Sequence, residues 1–183
     1  PMPYLEEPAT EAISVGANVI RYPVNTNAEI DYVVTSDGVK QNLNIRDMPF
    51  APDGFEGHFG LQETMIIPSG YALFIEDSMI EEGGKLTTTN SSIDVRNLET
   101  GELLVTIGRP LIYDQSNFNG ESPDGHLGLY VIRSYGEVIE IATVVDTDWL
   151  LSEERVYPVQ IDPTINQGTQ RSGYAYYYRT TGW

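Results

Sequence analysis

Glu29-Ile30-Asp31-Tyr32-Val33-Val34-Thr35-Ser36-Asp37-Gly38-Val39-Lys40-Gln41-Asn42-Leu43-Asn44-Ile45-Arg46-Asp47 is the stretch that decides the fold class. Ile30, Tyr32 and Val34 alternate with polar neighbours, Ser36-Asp37-Gly38 supplies turn chemistry, and Val39, Leu43 and Ile45 answer against Lys40, Asn42, Asn44 and Arg46. A period of two on both sides of a Gly-containing turn reads as a β-hairpin with one dry and one wet face. The pattern recurs: Ser92 to Asn97 turns through Glu99-Thr100-Gly101 into Glu102 to Tyr113, and Leu127 to Arg133 turns at Tyr135-Gly136 into Val138 to Asp146. Tyr71 to Glu76 adds a further strand. Both return strands are apolar on two faces, which places them between layers rather than in one open sheet.

Helical periodicity is nearly absent, apart from a turn at Thr147 to Glu154 that Asp146 or Thr147 is able to cap, with Trp149-Leu150-Leu151 plugging an end of the core. The expectation is an all-β, antiparallel sandwich-like domain over residues 1–164, built from hairpins, and a tail over residues 165–183. In that tail Tyr174, Tyr176 and Tyr178 alternate with Ala175 and Tyr177, and no hydrophobic stretch is left to pair with them. The tail therefore reads as the start of a following module or as a strand lent to a neighbour, the device by which β subunits join into filaments.

The 183 residues hold 10 Lys+Arg against 27 Asp+Glu, a formal net charge of −17. Phosphate backbones and anionic headgroups repel such a chain, so nucleic acid and membrane surfaces are not expected partners. The longest apolar stretches, Val138-Ile139 and Ile141 to Val145 around Glu140, fall far below the ~18 residues of a spanning helix, so no membrane insertion is expected. Zero cysteines exclude zinc-thiolate sites, iron–sulfur clusters and thiol catalysis. Position 1 is Pro and no basic-then-apolar leader follows, as in a processed product or a piece of a longer protein.

Two irregular segments, Met48 to Gly60 and Asp114 to Gly125, are where function is expected to sit. Asp114, Asn117, Asn119, Glu121 and Asp124 place oxygen ligands in a Gly-containing loop, the donor set that Ca²⁺ takes, although the spacing fails as an EF-hand at both ends. A solvated loop whose Asn and Asp residues brace their own turns is the competing reading. Phe50, Phe55 and Phe59 are able to form a stacking platform for a glycan, or to pin the loop to the core. His58 and His126 lie in no hydrolase or zinc pattern. Carboxylate pairs for acid/base chemistry are available from Glu76, Asp77, Glu81 and Glu82 or from Asp146 and Asp148, as in any chain with 27 acids. Asn90-Ser91-Ser92 is a single glycosylation sequon in a turn.

The order of features, with Tyr-x-Val turning through Asp-Gly-Val-Lys-Gln into Asn-Leu-Asn-Ile, then Gly101-Glu102-Leu103-Leu104-Val105-Thr106-Ile107-Gly108-Arg109-Pro110-Leu111-Ile112-Tyr113-Asp114, leads to a closing Asp148-Trp149-Leu150 and Arg155-Val156-Tyr157-Pro158-Val159-Gln160-Ile161-Asp162-Pro163-Thr164. This resembles the amino-terminal β-rich region of large secreted bacterial and archaeal surface proteins, in which a Tyr-Pro-Val-x-Ile-Asp-Pro-Thr segment precedes Rhs/YD-repeat, laminin-G-like or DNRLRE-type modules. The resemblance spans roughly residues 20 to 164 and is most specific at its closing segment. It implies a non-catalytic extracellular module at the head of a multidomain chain and supplies no catalytic residues. The expected role is structural or adhesive at the cell surface, as a filament subunit joined by strand exchange to other copies or to neighbouring modules. A carbohydrate-binding module stands second, and a glycoside hydrolase-like enzyme with paired carboxylates third.

Overall fold

The computed structural model describes residues 13–36, 38–51, 58–117, 125–162, 164–167 and 176–178. The chain begins with a meander of β1 (Ile13–Ser14), β2 (Val19–Pro23), β3 (Ala28–Val34) and β4 (Gly38–Ile45), each antiparallel to the next. β5 (Phe59–Ile66) belongs to a second sheet, and β6 (Tyr71–Ile75) and β7 (Ser78–Met79) return to the first. β8 (Thr87–Thr89) lies in the second sheet, and β9 (Ile93–Asn97), β10 (Leu103–Ile107) and β11 (Leu111–Asp114) in the first. After a 3-10 turn at Gln115–Asn117, β12 (His126–Leu127) pairs with β11, while β13 (Leu129–Tyr135) and β14 (Val138–Val145) form a hairpin of the second sheet. Helix α1 (Thr147–Leu150), β15 (Val159–Asp162), β16 (Thr164–Gln167) and β17 (Tyr176–Tyr178) complete the order.

The first sheet runs β1-β2-β3-β4-β16-β10-β9-β6-β7, with β15 joining β4 to β11, and the second runs β17-β5-β14-β13-β8. The fold is thus all-β and antiparallel, with two facing sheets. One buried cluster, including Met65, Leu73, Ile93, Val95, Ile107, Ile132 and Ile139, lies between the second sheet and the β10-β9-β6 part of the first. Another, including Ile30, Leu43, Phe59, Leu61, Ile112, Val145, Leu150 and Ile161, fills the space under β3, β4, β15 and β11. β5 and β14 feed both clusters, so the second sheet ties the two parts of the first together.

The deciding hairpin forms as its alternation requires: Ala28, Ile30 and Tyr32 pair with Ile45, Leu43 and Gln41. Its polar face is less wet than the pattern implies, because Glu29, Asp31 and Asn42 are all buried. Arg21 on β2 donates from Nε and Nη2 to the two carboxylate oxygens of Asp31 at 2.7 and 2.8 Å, and lies 2.9 Å from Glu29. Asn44 Nδ2 adds a donor to Asp31 at 3.1 Å, Arg46 pairs with Glu29, and Lys40 lies 2.6 Å from Asp162. Cross-strand cations therefore shield this face of a strongly acidic chain.

Two expected strands are interrupted. Glu102 to Tyr113 divides at Gly108-Arg109-Pro110 into β10 and β11, and Leu127 to Arg133 divides at Gly128. Leu127 pairs with Leu111 in the first sheet, whereas Leu129 pairs with Val144 in the second. The chain crosses between sheets through a close approach: a Cβ on Gly128 would lie 2.7 Å from the Val144 carbonyl oxygen. Burial of β14 on both faces follows the expectation, with Ile139 and Ile141 on one side and Ala142 and Val144 on the other.

Gly60 is tighter still, since a Cβ there would lie 2.1 Å from the Thr143 oxygen and 2.9 Å from Val144 Cα. Both obstacles are backbone. Gly60→Ala is expected to destabilise the domain by about 1–3 kcal/mol, the usual range for overpacking, as read in urea melts. An unchanged midpoint would contradict that packing.

The described part of the tail contributes a strand to each sheet. The expected boundary after residue 164 falls at the first residue of β16, which pairs with β4 and with β10 and so lies inside the first sheet. The Tyr-rich strand also finds a partner in its own chain: Tyr176, Tyr177 and Tyr178 pair with Ile66, Met65 and Thr64 of β5. Sequence periodicity missed this because β5 is made of Phe59-Gly60-Leu61-Gln62-Glu63-Thr64-Met65-Ile66, with Gly60 and Glu63 breaking up an apolar run.

Candidate functional site

The β5 edge is the first candidate, a strand-acceptor site. Alternation along β5 buries Phe59, Leu61, Glu63 and Met65 between the sheets. Glu63 occupies the interval between the two apolar clusters, where Gln41 Nε2 donates to its Oε1 at 2.6 Å and Tyr32 OH donates at 3.3 Å. Gln41, 1% exposed, also donates to the Tyr32 oxygen at 3.1 Å. Hydrogen bonding makes this polar seam tolerable inside a sandwich. The opposite edge of β5 is held by β14 over eight consecutive pairs, whereas β17 pairs with three positions.

A second cluster anchors both ends of the segment from Asp114 to His126. Asp146 accepts from the Trp149 backbone N–H at 2.9 Å and so caps α1, which presents Trp149. His126 stacks on Trp149 with ring centroids 4.6 Å apart and planes 10° from parallel. The Arg155 guanidinium also lies over the Trp149 ring, 4.5 Å from its centroid, and donates from Nη1 to Asp114 at 3.1 Å. Asp114 is 2% exposed and accepts in addition from Ser116 N and Oγ. Burial, with Arg155 nearby, pushes the His126 imidazole below its ordinary value, against the opposing effect of Asp146. Sequence reading found Asp114 and Trp149 but not Arg155, which bears on both from 41 and 6 positions away in the chain.

This arrangement bears on the calcium expectation. Asp114 is committed to Arg155 and Ser116, and Asn117 ends the 3-10 turn, while Asn119, Glu121 and Asp124 lie outside the described residues. Among the described residues no group of three metal-ligating side chains converges. Added Na⁺ is expected to raise the unfolding temperature by screening a net charge of −17, and Ca²⁺ at matched ionic strength tests for anything beyond screening. Extra stabilisation by Ca²⁺ would assign the segment a cation site, and equal stabilisation would remove the case for one.

Of the three phenylalanines, Phe59 is a core residue of β5, 8% exposed, which removes it from a surface platform. Phe55 lies outside the described residues. Phe50 is 83% exposed, with Met48 also exposed two residues earlier. The side chains of Tyr176 and Tyr178 are not among those described, and Tyr174 lies outside the described residues. Of the expected carboxylates, Asp77 lies 3.3 Å from Arg96, Glu81 lies 3.1 Å from Lys85, and Asp146 caps α1. Asn90 is exposed in the bend between β8 and β9.

Tyr157 closes the Trp149 region by donating its hydroxyl to the Leu150 carbonyl at 2.6 Å. Burial pushes its phenol up to about 12. An unfolded tyrosine loses its proton near pH ~10, so the folded state holds a proton that the unfolded state has released. The contribution is therefore intact below pH ~10 and is lost as pH rises towards the folded value. Tyr157→Phe is expected to lessen the alkaline loss of stability between pH ~10 and ~12, measured by urea melts along that range, and identical pH profiles would contradict the assignment.

No helix among the described residues is long and apolar enough to cross a membrane. In comparisons with known proteins, no family model, no curated protein and no solved structure matches the chain.

Proposed function

We propose that the chain is a non-catalytic extracellular or cell-surface module with a structural or adhesive role, joined to its neighbours through its C-terminal strand. One observation carries the reading: among the described residues β17 is an edge strand paired with β5 alone, through Tyr176, Tyr177 and Tyr178, and it lies in the sheet opposite β16. A strand attached in this way adds main-chain hydrogen bonds to an edge, the currency of β-augmentation, and removing it leaves the β14-β5 ladder in place. The acidic surface suits an exposed location, where it opposes nonspecific collapse.

Light scattering of the intact chain and of a chain ending at Gln167, with thermal unfolding of both, tests the role. Concentration-dependent oligomers of the intact chain and a folded, monomeric truncated chain are expected. Monomers of both at every concentration would overturn it.

Glycan binding is a second reading, favoured by the 83% exposure of Phe50 beside exposed Met48. It expects glycan-array signal that Phe50→Ala abolishes, and silence on such arrays counts against it.

A further inference from the structure

Asn90-Ser91-Ser92 is the single Asn-x-Ser/Thr sequon of the chain, and it forms the bend through which the chain passes from β8 in the second sheet to β9 in the first. Asparagines suit bends and turns because their side chains bond nearby backbone. Four others do so here. Asn18 Nδ2 donates to the Val34 carbonyl at 3.0 Å, Asn25 Oδ1 accepts from the Asn27 N–H at 2.8 Å, and Asn27 Oδ1 accepts from the Asp47 N–H at 2.8 Å. Asn97 Oδ1 accepts from the N–H groups of both Glu99 and Thr100 at 2.9 Å. The bend at Asn90 is braced differently: Thr89 Oγ1 accepts from the Ser91 N–H at 3.0 Å, so a neighbouring hydroxyl takes the place of the asparagine amide. Asn90 is exposed, and among the described residues its amide has no hydrogen-bond partner, while Ile93 just beyond is fully buried and fixes the bend against the core.

We propose that Asn90 is a site of N-linked glycosylation, its Nδ2 taking the oligosaccharide of a polyprenyl-diphosphate-linked donor. In that transfer the amide nitrogen forms a bond to the anomeric carbon, the bond from that carbon to the diphosphate oxygen breaks, and the amide gives up one proton as the lipid diphosphate leaves. Ser92 supplies the hydroxyl at the third position of the sequon. The inference uses the extracellular location proposed above, since the sequon is read in secreted proteins, and it goes beyond the structural role. Its place in the fold bears on the sheet edges. β8 ends the second sheet on the side away from β17, pairs among the described residues with β13 alone, and carries Thr87, Thr88 and Thr89 up to Asn90. A bulky, hydrated group at the end of this strand covers an edge that would otherwise accept another strand.

Trypsin cuts after Lys85 and Arg96, so the peptide from Leu86 to Arg96 isolates the sequon. In the chain purified from its own source, this peptide is expected to bear a sugar mass that fragmentation assigns to Asn90. Ser92→Ala is expected to abolish the modification, whereas Ser91→Ala keeps it, because the middle position accepts any residue but Pro. Both replace a serine of the same bend by alanine, so a difference between them reads recognition rather than folding. Asn90→Gln, made without the sugar and compared with an equally unglycosylated parent, should melt at the same temperature, because the bend loses no bond with the amide. A chain recovered outside the cell with an unmodified peptide, or with the sugar on Thr87, Thr88 or Thr89, would overturn the site. A chain confined to the cytoplasm would overturn the location on which the site rests. A lower Tm for Asn90→Gln would overturn the reading of the amide as free. Light scattering reads assembly and not this transfer, so failure here is distinguishable from failure of the structural role.

Discussion

Replacement of Arg155 by Met is expected to cost the fold about 3–5 kcal/mol, the range for removing one partner of a buried ion pair. Asp114 is 2% exposed, and its donors are Arg155, Ser116 and the more distant Val156 N–H at 3.5 Å. Without the guanidinium, a carboxylate stays in the interior with hydroxyl and amide donors alone. The same substitution strips the cation from the Trp149 ring and loosens the end of the β3, β4 and β15 core, which Leu150 closes. For a chain of this length the loss corresponds to a drop in Tm of roughly 10 °C. Arg155→Lys keeps the charge but not the flat contact with the ring, so it should fall between the two. A melting curve for Arg155→Met within 2 °C of the parent, on the order of a single kcal/mol, would show that the pair does not support the fold.

The second large effect is expected at the seam between the two apolar clusters. Gln41→Leu removes the 2.6 Å donor from Glu63, a carboxylate that is 5% exposed. Leaving a buried carboxyl group short of a donor costs about 1–3 kcal/mol. Tyr32→Phe removes only the longer bond at 3.3 Å and should cost about 1 kcal/mol. Urea midpoints of the two variants read the difference directly. Equal or reversed losses would mean that Gln41 is not the principal support of Glu63.

Alternation in Ile30, Tyr32 and Val34 against Leu43 and Ile45 was enough for a hairpin, because a period of two is local and the turn lies within the same stretch. The short helix was equally readable, since Asp146 and Trp149 are three residues apart and the cap is made between them. What escaped were choices made between distant segments. Nothing local at Gly128 announces that its two neighbours pair in different sheets, and nothing near Asp114 announces Arg155. Phe59 carries the composition of its loop yet starts a core strand, because burial depends on what lies across the sheet. The pairing of β17 with β5 was illegible for the same reason: the two are separated by about a hundred residues, and β5 is interrupted by Glu63, whose polarity is matched across the core by Gln41 and Tyr32.

Composition alone predicts a repelling surface at −17, but its few cations are placed where carboxylates are most crowded: Arg21 between Glu29 and Asp31, and Lys40 on Asp162. Three cations, Arg21, Lys40 and Arg46, thus lie on one face of the meander, and the net acid that remains makes copies repel. Added salt should therefore promote association of intact chains.

The most direct measurement is the binding of a synthetic peptide, Tyr174 to Trp183, to the folded chain ending at Gln167, followed by calorimetry and by amide exchange at β5. Saturable binding with slowed exchange at β5, lost when the order of residues in the peptide is scrambled, is the result required of a separable connecting strand. A folded truncated chain that takes up no peptide at any concentration would contradict the claim that the module is joined through β17.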